Sequence, residues 1–295
     1  MKILVTGASG FVGNNICKYF SKLTDYEVIG ISRSGNHKLK DIKYIEADVS
    51  NLENIELLHN NIDSVDIIVH CAACIDKNDF NPELIKVNCQ GTLNILELAK
   101  IIKVKKLVYI SSIPVIGTPK DIPVDENHLQ MPTTSYHASK LMGENIALMG
   151  SKYGINAVSL RLPSPVGKGM NPNTILPVFV KKCLENKDIE ILGNGERIQN
   201  YIDIKDICEA VYRCIIKDVN GIFNIASNES YSNKELANIC KFVLKSNSKI
   251  ILSGENDPEE FNKWIISIEK AKQLLDFNPR YRIEDTIIDI AKELV

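Results

Sequence analysis

Six short apolar runs rich in β-branched residues punctuate the chain up to residue 161: KILVT (2–6), EVIGIS (27–32), KYIEA (43–47), VDIIVHCA (65–72), KLVYIS (106–111) and INAVSLR (155–161). Longer segments between them carry apolar residues at helical spacing, notably FVGNNICKYFSKL (11–23), NPELIKVNCQGTLNILELAKII (81–102) and TTSYHASKLMGENIALMGSKYG (133–154). Apolar strands alternating with helices are the pattern of a parallel sheet covered on both faces. The chain is therefore expected to be α/β, a doubly wound parallel sheet. After Arg161 the alternation loosens, and Pro163, Pro165, Gly167, Gly169, Pro172 and Pro177 mark loops leaving the sheet. Residues 200–226 again read strand, helix, strand, and helical segments near 232–244, 267–275 and 283–294 follow. The expected division is 1–162 plus 200–226 in a first domain, and 163–199 plus 227–295 in a smaller C-terminal lobe.

Composition narrows the partners. The 295 residues carry 35 Lys and Arg against 37 Asp and Glu, a formal net charge of −2 without long blocks of either sign. That balance argues against nucleic acid or an anionic membrane as the main partner and favours a small molecule. There is no run of about 20 uncharged apolar residues, nor a leader-like apolar stretch. A soluble, cytoplasmic protein is the expectation. The eight cysteines lie mostly in apolar segments and read as reduced core side chains. Cys71 and Cys74 form a C-x-x-C that lacks the second ligand pair of a zinc site, so no metal is expected.

The stretch TGASGFVG sets Gly7, Gly10 and Gly13 between a strand pattern and a helix pattern. A glycine there turns the chain off the strand, another lets backbone approach a pyrophosphate, and a third lets helix pack on strand. The helix N-terminus beyond favours the anion. At the tip of the second strand, a carboxylate would select the free ribose hydroxyls of NAD. Ser32 and Arg33 instead offer donors and a cation to a 2′-phosphate, which favours NADP over NAD. Asp48, after the third strand, could accept from the adenine amino group.

Tyr136 and Lys140 stand at i and i+4, on one face of a helix. A free phenol titrates at about 10, so forming phenolate near neutrality requires a shift of roughly 3 units, on the order of 4 kcal/mol. A neighbouring ammonium is expected to supply part of it. Tyr136 could then exchange the hydroxyl proton as hydride leaves or joins the same carbon. Ser112 ends a strand at the carboxyl edge, where ligands of such sheets bind, and its hydroxyl could steady the oxygen being deprotonated. His70 reads as a structural histidine ending a buried strand, and His137 as a surface residue off the Tyr136/Lys140 face.

With TGASGFVG, HCAA (70–73), VNCQGT (87–92), SSIPVIG (111–117), YHASK (136–140) and GNGERIQNYIDIKDI (193–207) in this order, the chain resembles the extended short-chain dehydrogenases/reductases. More narrowly it is similar to the NAD-dependent epimerase/dehydratase family of nucleotide-sugar enzymes. The resemblance implies a Rossmann-type domain with a C-terminal substrate lobe, and a homodimer through the helices near 80–102 and 133–152. It implies catalytic Ser112, Tyr136 and Lys140. The implied cofactor residues are Gly7, Ser9, Gly10, Phe11, Val12, Gly13, Ser32, Arg33, Asp48, Val49, Cys71, Ala72, Ala73, Asn88 and Leu162, together with Tyr136 and Lys140. Ser112, Ser164, Arg197 and Gln199 are the implied substrate contacts.

Departures from the family pattern narrow the reaction. Ile113 and Pro114 stand where 4,6-dehydratases carry an acidic pair, which disfavours elimination of water. Ser164 replaces a usual asparagine, Gln199 replaces an arginine that clamps the substrate diphosphate, and Val115-Ile116-Gly117 lacks the usual tyrosine. Arg197, Lys168 and Arg280 are the candidates to carry the missing charge. The expected activity is NAD(P)-dependent hydride transfer at C4 of a nucleotide-linked sugar, as a 4-ketoreductase or a 4-epimerase. A reductase of a non-nucleotide carbonyl compound and a dinucleotide sensor without turnover are the alternatives.

Overall fold

Along the first strand, Ile3 and Val5 point into one apolar layer and Leu4 into another, each fully buried. The period-two alternation of an apolar run with both faces covered organises the molecule. The computed structural model describes residues 1–33, 39, 42–62 and 64–295. Seven parallel strands form the main sheet: β1 (Lys2–Thr6), β2 (Glu27–Ser32), β3 (Lys43–Glu46), β4 (Ile67–His70), β5 (Lys106–Ser112), β6 (Asn156–Leu162) and, from late in the chain, β10 (Gly221–Asn224). Their order is β10-β6-β5-β4-β1-β2-β3. Because β2 and β4 flank β1 on opposite sides, the connections diverge there and open a crevice at the carboxyl ends of β1 and β4.

One face is covered by α1 (Phe11–Phe20), α7 (Ile204–Ile216) and α9 (Glu269–Leu275), through Ile16, Phe20, Ile207, Val211 and Leu275. The other is covered by α2 (Leu52–Asn61), α4 (Gly91–Ile101) and α5 (Ser135–Leu148), through Ile55, Ile95, Leu98 and Ile146. A short α3 (Glu83–Ile85) runs into α4 through a π-helical turn, Lys86–Gln90. The smaller lobe packs α6 (Ile175–Leu184), α8 (Asn233–Leu244) and α10 (Ile283–Leu294) around Leu176, Leu236 and Ile287. It also holds a three-stranded sheet of β7 (Ser164–Val166), β9 (Ile198–Asp203) and β11 (Ser230–Ser232), and a parallel pair, β8 (Ile189–Ile191) with β12 (Ile250–Leu252). Among the described residues, no helix is long and apolar enough to cross a membrane.

One expectation is corrected here. The strand at the start of the 200–226 segment, β9, does not rejoin the main sheet. It pairs with β7 and β11 and sends Tyr201 into the apolar layer of the lobe. The return to the main sheet comes with α7 and β10.

Helix α5 is tied to the sheet by an ion pair sealed from water. Arg161 on β6 donates from Nη2 to the Glu144 carboxylate on α5 at 2.6 Å, and the Ser159 hydroxyl donates to the same carboxylate at 2.8 Å. Both charged side chains are essentially unexposed. Removing one partner strands the other charge in a low-dielectric interior. Arg161→Leu is expected to lower unfolding free energy by about 3–5 kcal/mol in urea titration; a loss under about 1 kcal/mol would show that the pair does not anchor α5.

Candidate active site

The glycine turn closes by contact. Gly7 has φ +65°, and a Cβ there would lie 2.7 Å from the Ala72 nitrogen. A Cβ on Gly13 would lie 2.3 Å from the Gly7 carbonyl oxygen, so helix α1 sits directly on the turn. No side chain caps the N-terminus of α1 at Gly10, and its first turn holds no acidic residue. Its amides are thus left for an outside anion. Over this turn lies a cleft of about 530 Å³, lined by Gly7, Ser9, Gly10, Ser32, Arg33, Asp48, Val49, Cys71, Ala72 and Ala73 among the expected residues. Ile31, Ala47 and Val87, which are not among the expected cofactor residues, complete it. A bare helix end under an elongated cleft, with a glycine cradle that a Cβ would fill, fits a dinucleotide.

At the far end, Asp48 accepts from the Ser50 amide at 2.9 Å and the Ser50 hydroxyl at 2.7 Å. Burial works against its charge, yet these bonds and the nearby Arg33 and Lys86 charges hold its carboxyl below the ordinary range. Phe11, Val12, Gly13, Asn88 and Leu162 do not line this cleft. Phe11 faces a neighbouring cavity, and Gly13 packs on the turn. Asn88 acts through its neighbours. Its side chain accepts from the Cys74 amide at 2.7 Å and donates to the Cys74 carbonyl at 2.9 Å and to Ser139 Oγ at 2.8 Å.

A directed chain of hydrogen bonds stands behind the cleft. The Ala72 amide donates to Thr6 Oγ1 at 3.2 Å, which leaves the Thr6 hydroxyl to donate to His70 Nδ1 at 2.6 Å. His70 Nε2 then donates to Thr92 Oγ1 at 3.1 Å, and Thr92 donates to the Asn88 carbonyl at 2.7 Å. This order requires neutral His70 with its proton on Nε2. Burial, reinforced by the Lys140 charge, pushes the His70 pKa down to about 3.

Ser112 and Tyr136 line a second cavity of about 540 Å³. Thr134 caps α5, placing Tyr136 in its first turn and Lys140 one turn further. Lys140 is 4% exposed; its Nζ donates to the Ile110 carbonyl at 2.6 Å and lies 4.2 Å from the centre of the Tyr109 ring. The expected lowering of the phenol by its lysine is not what burial produces. Desolvation pushes Tyr136 up to about 12 and Lys140 down to about 7. In the dinucleotide-free protein the phenol keeps its proton at neutral pH, while the lysine titrates there. The buried Ser111 hydroxyl beside them has no partner among the described residues.

The Tyr136 cavity runs on through Pro163, Ser164, Arg197 and Gln199 into a third cavity of about 750 Å³ in the smaller lobe. Arg197 is paired with Glu259. Its Nε and the Tyr201 hydroxyl are buried without partners among the described residues, as groups awaiting a polar ligand would be. Gln199 donates to Asn233 Oδ1 at 3.3 Å. Lys168 and Arg280 face separate cavities, away from Arg197. Lys77, not anticipated, lines the third cavity. Trp264 and His137 both line the second cavity, so His137 is not the surface residue expected from its helix face. Ile113 is buried and Pro114 lines the cavity, and neither can transfer a proton.

A family model described as the NAD dependent epimerase/dehydratase family matches residues 3–226. A Methanocaldococcus jannaschii protein that carries the provisional name UDP-glucose 4-epimerase is 30% identical over 284 residues, covering 92% of each chain. The structure of a UDP-glucuronic acid 4-epimerase from Bacillus cereus, in complex with UDP-glucuronic acid and NAD, superposes with a TM-score of 0.86 at 26% identity over the whole of both chains. A dTDP-glucose 4,6-dehydratase from Bacillus anthracis with NAD gives 0.84 at 26% identity, covering 99% of this chain and 96% of its own.

The buried lysine has a measurable signature. Its pKa rises from about 7 when folded to 10.5 when unfolded. Between these values the unfolded chain holds a proton that the folded chain has released, so stability rises with pH across that window. Below pH 7 the full cost of burying the ammonium is present. Lys140→Met removes it, so the variant is expected to gain more stability over the parent protein at pH 6 than at pH 9 in urea unfolding without dinucleotide. Equal differences at the two pH values would show that Lys140 is not held neutral by burial.

Proposed function

We propose that this chain, which belongs to the NAD dependent epimerase/dehydratase family, is a 4-epimerase of a UDP-linked sugar. The observation that carries the reading is the shared wall of Ser112 and Tyr136 in one cavity, with Lys140 buried a turn behind. Hydride acceptance and return is the chemistry that a bound nicotinamide supplies. The α1 N-terminus, Ser9 and the 71–73 backbone would hold its dinucleotide, with Asp48 and Arg33 at the adenosine end. Tyr136, protonated at neutral pH, serves as the acid that gives its proton to a keto oxygen as the carbon is reduced. In the oxidising direction it takes the hydroxyl proton back, aided by positive charge on Lys140, and Ser112 donates to the same oxygen.

The printed activities of the similar proteins favour epimerisation of a UDP-sugar. The similarity to a 4,6-dehydratase does not extend to its elimination chemistry, because Ile113 and Pro114 offer no acid or base. Arg197, with its unpartnered Nε, would bind the diphosphate. One observation favours a second reading, a 4-ketoreductase using NADP. Ser32 and Arg33 line the adenosine end of the cleft, where they suit a 2′-phosphate.

The outer faces of α4 and α5 leave Leu93, Ile101 and Met142 exposed, with Met149 and Tyr153 just beyond α5. We infer a homodimer through this apolar face, with twice the chain mass expected in light scattering. A monomer at micromolar concentration would overturn it.

The function is tested in one series. UDP and UDP-glucose are expected to raise the melting temperature, and Tyr136→Phe to cut turnover more than about a hundredfold while keeping dinucleotide affinity. Full turnover by that variant would remove Tyr136 from the chemistry. Dinucleotide released on denaturation separates the two readings. Near-stoichiometric NAD marks the epimerase, whereas an empty protein that takes up NADPH before NADH marks the ketoreductase.

A further inference from the structure

His137 stands immediately after the tyrosine, and the cap of α5 dictates its chemistry. Thr134 Oγ1 accepts the His137 backbone amide at 3.2 Å, as an N-cap hydroxyl does. The same oxygen lies 2.8 Å from His137 Nδ1. With one lone pair engaged by the amide, the threonine hydroxyl has its proton available for Nδ1. In that arrangement the imidazole proton sits on Nε2. That atom has no hydrogen-bond partner among the described residues. The ring lines the Tyr136 cavity, its centre 5.0 Å from that of Tyr136, and faces a cavity that also holds Arg197, Glu259 and Trp264. Burial holds the ring neutral at pH 7 against the opposing pull of Asp79.

We propose that His137 is a specificity-determining residue whose Nε2–H donates to an oxygen of the sugar next to the reacting carbon. The proposal rests on the nucleotide-sugar reading above and adds to it the group that recognises the sugar rather than the nucleotide. The arrangement suits this role because the contact with Thr134 and the helix start hold the ring in place before the ligand arrives. An oxygen at that place, whether of a hydroxyl, an amide or a carboxylate, completes a donor otherwise left unpaired. A sugar lacking it forgoes that hydrogen bond.

The test compares the parent protein with His137→Phe, which keeps a ring without the donor, and His137→Gln, which keeps an N–H near the Nε2 position. Dissociation constants for UDP and for UDP-glucose, UDP-N-acetylglucosamine and UDP-glucuronic acid are measured by calorimetry on the protein as purified. The quantity read is the ratio of the UDP constant to that of the tightest UDP-sugar. His137→Phe is expected to lower this ratio about fivefold with UDP affinity unchanged, His137→Gln to recover at least half of it, and the loss of turnover in His137→Phe to fall on KM rather than kcat. An unchanged ratio, a parent ratio of one, or a parallel loss of UDP and UDP-sugar affinity overturns the proposal. A parent protein that binds no UDP overturns the nucleotide-sugar reading itself.

Discussion

The site depends on a buried histidine that must stay neutral. Through His70, the Ala72 amide, the Thr6 and Thr92 hydroxyls and the Asn88 carbonyl are joined in one direction of donation. Thr6, His70 and Thr92 each bridge two other members, so a proton added to His70 reverses the demand at Nδ1 and leaves the Thr6 hydroxyl facing a second donor. Desolvation prevents this far below physiological pH. The consequence is geometric: β1, β4 and the π-helical turn before α4 are held in one register. From that turn, Asn88 reaches both the Cys74 backbone and Ser139, whose hydroxyl donates to the Tyr136 carbonyl at 2.7 Å. The cleft over the glycine turn and helix α5 are thus positioned by the same polar thread.

Beside that thread, burial sets the protonation states. Low dielectric disfavours phenolate and ammonium alike, so Tyr136 and Lys140 move in opposite directions and both approach neutrality of charge. A helix carrying such a pair cannot rest on it for stability. Anchorage falls instead to Glu144, one turn beyond Lys140, where a matched partner and a serine hydroxyl satisfy a carboxylate that would otherwise be expelled. Helix α5 therefore separates its tasks along its length: capping at Thr134, chemistry at Tyr136 and Lys140, attachment at Glu144.

What could be read from the sequence was local. The glycine turn and the i, i+4 pair of Tyr136 and Lys140 depend on spacing within one element, and the structure places Gly7 and Gly10 in the cleft and Tyr136 in a second cavity. The seven-stranded parallel sheet follows from apolar alternation. What was missed depends on distant partners. β9 has the composition of a sheet strand, but its neighbours, 30 to 37 positions away in β7 and β11 by register, decide which sheet it joins. Spacing puts His137 off the Tyr136/Lys140 face at the surface, yet it lines the same cavity as Tyr136. The phenol shift failed as an expectation because spacing shows that a lysine is near but not that water is absent.

Charge in the substrate groove makes the same point about competition. Among the described lining residues of its two cavities, Lys77 and Arg197 are the cations, against Glu190, Asp257 and Glu259. Glutamine at position 199 has turned toward Asn233 and contributes no charge. A diphosphate entering here meets a guanidinium already engaged by Glu259, so its binding energy is the difference between two ion pairs rather than the whole of one. Glu259 is about half exposed and can return to water at small cost, whereas Arg197 keeps a buried Nε that water does not reach. The exchange therefore favours a ligand that satisfies that inner nitrogen as well as the outer one. A two-oxygen anion such as a phosphate meets both demands where a single neutral oxygen would not.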